Sequence, residues 1–67
     1  MAKYALIDWL AETAQAQYGT AALCLQRSEA AEADGDATLA AELRGMAAGF
    51  EASAGTLQAK AREGASN

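Results

Sequence analysis

Sixty-seven residues with one cysteine (Cys24), no histidine and no proline make at most one small domain, and they exclude an intrachain disulfide and the common zinc sites. Nine acidic against five basic side chains give a net charge of −4, which argues against nucleic-acid binding, since that draws most of its affinity from Lys and Arg on phosphates. No stretch approaches the roughly 20 apolar residues of a membrane span, Asp8 interrupts the short apolar run after Lys3 that a secretory signal would need, and a lone cysteine suits the cytoplasm.

The composition reads as all-α. About three residues in ten are alanine, valine is absent and Ile7 is the sole isoleucine, so strong helix formers dominate and a sheet would lack β-branched side chains. The first helix is predicted over about residues 3–33. Gly19-Thr20 could serve as a stop and a cap within it, but the apolar spacing stays in phase across Gly19, so one continuous helix is expected. At 100° per residue Tyr4, Ile7, Leu10, Ala11, Ala14, Tyr18, Ala21, Ala22 and Leu25 share one face, with Leu6 and Cys24 at its flank. Beyond Leu25 that face turns polar with Ser28, Glu29 and Glu32, which predicts a loosely packed tip.

The turn is expected at about residues 34–36. Gly35 can take the left-handed conformation that ends a helix, and Asp36 can accept backbone N–H bonds as the cap of the next. The second helix follows over about 37–62, with Lys60 and Arg62 near the negative end of its dipole. Its inward face is read as Leu39, Leu43, Met46, Ala47, Phe50, Ala54, Leu57 and Ala61. The tail from Gly64 to Asn67 is expected to be short and flexible. Residues 1–67 are thus one long antiparallel two-helix hairpin.

A chain this size buries only about 60% of its unfolded surface, so further stability is expected from association. The backs of the helices suggest where. Trp9, Thr13, Ala16, Thr20, Leu23 and Arg27 follow an alternating 4-3 spacing on the first helix, and Ala41, Gly45, Ala48, Ala52, Gly55 and Ala59 do so on the second, a spacing suited to a further helical neighbour. The candidate interface is therefore Trp9, Ala16, Leu23, Gly45, Ala48, Ala52 and Gly55, closing two hairpins into a dimeric four-helix bundle. Two competing readings stand beside it: alanine is common enough to make some face small by chance, and Trp9 can cover a helix end within its own chain. Gly45-x-x-x-Gly49 has the outline of a membrane dimerisation motif, but Arg44 and Glu51 flank it and it lies outside an apolar 20-mer.

No chemical constellation stands out. Asp8 and Glu12 share a helix face, yet the bundle sites built on such carboxylates add Glu-x-x-His motifs, and there is no histidine. Glu29, Glu32, Asp34 and Asp36 surround the turn, but Gly35 falls between the two aspartates where a calcium loop does not place it. Cys24 reads as a small buried hydrophobe. The expectation is a non-enzymatic helical interaction or regulatory protein, without cofactor or metal, acting as a homo-oligomer. The rivals are a small-ligand binder with an interchain pocket near Trp9, Tyr4 or Tyr18, and an accessory subunit of a larger complex with a protein partner.

Overall fold

The computed structural model describes residues 3–66. Two helices, α1 (Lys3–Ala33) and α2 (Ala37–Ser66), are joined by a three-residue turn and pack along their whole length. The hairpin is 50 Å long and 14 Å wide between Cα atoms. It exposes 4531 Å², where a globular chain of the same mass exposes about 4,000 Å². The elongated shape has left surface uncovered.

The turn follows from two residues. Gly35 has φ +82°, and its N–H donates to the Glu32 carbonyl at 3.0 Å while the Asp36 N–H donates to that of Ala31 at 2.9 Å. That pair of bonds is a Schellman motif, which closes the free carbonyls of α1. Asp36 then caps α2: its Oδ1 accepts from the Leu39 N–H at 3.0 Å, satisfying one of the unpaired donors of the first turn. A side chain at Gly35 must adopt the left-handed conformation, which costs roughly 1–2 kcal/mol per residue. Gly35→Val is therefore expected to lower unfolding free energy by at least that amount in a urea titration, and Gly35→Asn by clearly less.

The seam has a strict seven-residue rhythm. Ala40, Ala47, Ala54 and Ala61 are buried on α2, facing Ala14, Ala21 and Ser28 of α1, which are also spaced by seven and buried. Between them stand Leu10, Gln17, Cys24 and Ala31 on α1 and Leu43, Phe50, Leu57 and Gly64 on α2, all buried or half-buried. Among the described residues the buried side chains are small: seven alanines, Cys24 and Ser28. Small residues at alternate seam positions let the backbones approach, so larger groups fill only the positions between.

Several sequence expectations change here. Leu39 and Met46 are exposed, as are Tyr4 and Leu25 and Ala11 and Ala22. An alanine seam closes the space such large side chains would need. The tip is not loose, because Ser28 is 2% exposed and Ala31 and Ala40 are buried with it. The Ser28 hydroxyl donates to its own helix at the Leu25 carbonyl, 2.6 Å away, so it packs with the polarity of its oxygen already satisfied. As expected, Gly19 does not break α1, and Thr20 turns its hydroxyl back to the Ala16 carbonyl at 3.1 Å instead of capping a new helix. The tail is helical through Ser66, since Gly64 continues the seam: a Cβ on it would stand 2.9 Å from Ile7 Cγ1. Consequently Lys60 and Arg62 lie upstream of the last turn of α2, which holds no basic residue.

Candidate interaction face

The hairpin has two broad sides, and the contacts across the seam identify them. On one, the Tyr18 hydroxyl donates to Gln58 Oε1 at 3.4 Å and Arg44 pairs with Glu32. Gly55 belongs to this side, half-buried beneath the Tyr18 hydroxyl, which lies 3.9 Å from where its Cβ would be. Both members of the Arg44–Glu32 pair are largely exposed, so it adds little to stability.

The other side is apolar. Counting at 100° per residue from the seam places Leu6, Trp9 and Leu23 of α1 and Leu39 and Met46 of α2 along it. These are five of the seven large apolar side chains left exposed among the described residues. Trp9 is 51% and Met46 52% exposed. Between the two helices runs an open groove of about 350 Å³, lined by Gln17, Met46, Gly49, Phe50 and Ser53. Gly49 leaves it open, since a Cβ there would meet nothing within 4 Å. From Thr13 to Leu23 and from Met46 to Thr56 no residue of this side is charged, while Arg27, Glu42, Lys60 and Glu63 sit towards its ends.

The predicted interface residues fall into two groups that the fold does not bring together. Trp9, Ala16 and Leu23 all lie on the apolar side and all are exposed. Gly45, Ala48 and Ala52 are exposed on the back of α2, leaning towards the Tyr18 side where Gly55 is packed. On the apolar side the row of α2 that flanks Trp9 and Leu23 is instead Leu39, Met46, Gly49 and Ser53. Sequence reasoning missed it by assigning Leu39 and Met46 to the seam. The signal was present as Met46, Gly49, Phe50 and Ser53, spaced i, i+3, i+4, i+7.

One polar atom beneath the groove is unusual. Gln17 Oε1 is buried and accepts no hydrogen bond, at a seam position otherwise held by Leu10, Cys24 and Ala31. The groove belongs to a single hairpin and is distinct from the pocket between chains expected near Trp9, Tyr4 or Tyr18; Gln17, next to Tyr18 in the chain, is its nearest approach. Among the described residues no three acidic or cysteine side chains converge to hold a metal ion, and no helix is long and apolar enough to cross a membrane. Comparison of the chain with protein families, with curated proteins and with solved structures finds no match.

Proposed function

We propose that this chain is a non-enzymatic helical interaction protein that works as a homo-oligomer through the apolar side of its hairpin. The observation that carries the reading is the segregation of Leu6, Trp9, Leu23, Leu39 and Met46, all exposed, to one side of a hairpin whose other side bears its cross-helix polar contacts. Exposed large apolar side chains gathered on one side of a hairpin fit an interaction surface. Physical need points the same way, because a core of alanines removes little apolar area per residue from water.

Association stabilises a fold by mass action. The melting temperature is therefore expected to rise with protein concentration, with sedimentation giving a multiple of the 6.8 kDa chain mass. Trp9 fluorescence should shift to the red on dilution as the indole returns to water. A monomer with a concentration-independent melt would defeat the proposal.

Gln17 supports a second reading, a small apolar ligand that enters the groove and, with the Gln17 amide turned towards it, donates a hydrogen bond to the otherwise unpartnered Oε1. A buried acceptor without a partner costs roughly 1–3 kcal/mol, and such a ligand would recover it. Indole is a suitable probe. Thermal stabilisation by indole that disappears in Gln17→Leu would favour this reading; no stabilisation would remove it.

A further inference from the structure

We infer that the occupant of the apolar side is a second copy of this chain, set face to face with both turns at the same end, with α1 of each hairpin lying antiparallel on α2 of the other. The inference rests on the homo-oligomer reading and specifies its geometry.

The groove itself supplies the first argument. Its α2 wall, Met46, Gly49, Phe50 and Ser53, has the i, i+3, i+4, i+7 spacing of the four-residue hole that receives one side chain from a facing helix in coiled-coil packing. A hole calls for an apolar knob at the right height. Ala21, Cys24, Ala47 and Phe50 form one cluster of the seam, so Leu23, between Ala21 and Cys24, stands level with the hole. Leu23 is also 49% exposed. A two-fold axis running along the helices preserves height, and it therefore carries Leu23 of each copy to the hole of the other. The alternative axis, across the helices, would bring the region of Ser53 and Thr56 to the hole, and their hydroxyls are poor occupants.

Charge gives the second argument. In this arrangement α1 positions meet α2 positions of the partner in sequence. Leu23 falls between the partner's Met46 and Gly49, over the hole, Thr20 between the partner's Gly49 and Ser53, and Ala16 between the partner's Ser53 and Thr56, so over the middle of the face bulky groups meet each other or small ones. Arg27 then faces the partner's Glu42, and Trp9 faces the partner's Lys60, which stands 3.5 Å from Glu63 in its own chain. Among the described residues neither Arg27 nor Glu42 makes an ion pair within its own chain.

Area is sufficient. A side 50 Å by 14 Å between Cα atoms outlines about 700 Å² before side-chain relief is added, close to the roughly 800 Å² per partner that stable dimers bury.

Three variants and the unmutated chain test this by native mass spectrometry and sedimentation at low ionic strength. Gly49→Leu fills the hole without straining the hairpin backbone, since its Cβ meets only open space, and it improves helix propensity. It is expected to be a folded monomer that melts no lower than the unmutated chain at high dilution. Arg27→Glu and Glu42→Arg each place like charges across the interface, so each alone should dimerise less. Mixed one to one, they restore opposite charges at both symmetric contacts and should form heterodimer above the statistical half. An unmutated chain that is monomeric would overturn the homo-oligomer reading and this geometry with it. A dimer that survives Gly49→Leu would leave the oligomer standing and overturn this face. Monomeric Gly49→Leu without heterodimer excess in the mixture would overturn the turn-to-turn arrangement alone.

Discussion

Ala47→Leu is expected to open the hairpin, while Ala48→Leu one residue away leaves it intact. Ala47 is 1% exposed and packs with Ala21, Cys24 and Phe50 across the seam. The added isobutyl group has no space unless the helices separate. Inserting bulk into a packed core typically costs about 1–3 kcal/mol. Here the seam is the chain's only tertiary contact among the described residues, so separation propagates along a coil whose neighbouring layers depend on the same close approach. Cores of chains this small rarely supply more than about 3–5 kcal/mol in total, so the variant should be largely unfolded at 25 °C by far-UV circular dichroism. Ala48 is exposed on the back of α2, and leucine is nearly as good a helix former as alanine. Equal melting curves for the two variants would show that the alanine seam does not hold the hairpin together.

The all-helical hairpin was legible from composition and from one turn. Alanine abundance and the lack of valine and proline leave helix as the only regular structure, and Gly35-Asp36 combines a left-handed position with a cap, as the bonds to Ala31, Glu32 and Leu39 show. The orientation of the helices about their axes was legible only in part. Reading faces by hydropathy gave weight to Leu39, Met46 and Leu25, yet the helices meet through their smallest residues and push those side chains to the flanks. Alanine cannot mark a face where it occupies every face. What discriminates is the strict interval of seven in Ala40, Ala47, Ala54 and Ala61 against Ala14, Ala21 and Ser28. Ser28 was hidden because a free hydroxyl looks polar in a sequence, whereas bonded to the Leu25 carbonyl it behaves as a slightly larger alanine.

The candidate face shows the same limit. Its α1 half, Trp9, Ala16 and Leu23, could be read from spacing alone, since large apolar groups opposite a seam are few. Its α2 half could not. Choosing between the row of Gly45, Ala48 and Ala52 and the row of Leu39, Met46 and Gly49 requires knowing which way α2 is rotated, and the cross-seam contacts of Tyr18 with Gln58 and Glu32 with Arg44 supply that rotation. Gly49, present in the sequence as one glycine of a Gly-x-x-x-Gly pair, acquires a role only once Met46, Phe50 and Ser53 are seen around it.

Phe50→Ala separates the two surfaces that this residue joins. Phe50 packs half-buried against Ala21, Cys24 and Ala47 in the seam, and it also lines the groove. Truncating a fully buried phenylalanine costs about 3–5 kcal/mol, so a half-buried one should cost the isolated hairpin about 2 kcal/mol. That loss is independent of protein concentration. If Leu23 of a second copy also rests on the ring, the unmutated protein gains stability with concentration through a contact that the variant has lost. The gap in melting temperature between the two proteins should then widen as concentration rises. Melts recorded over a hundredfold range of concentration read both parts at once: the gap at high dilution measures the seam, and its growth measures the groove. A gap that stays constant would confine Phe50 to the seam and remove the hole as a docking site. No gap at high dilution would mean instead that the ring contributes nothing between α1 and α2, and the seam would rest on its alanines alone.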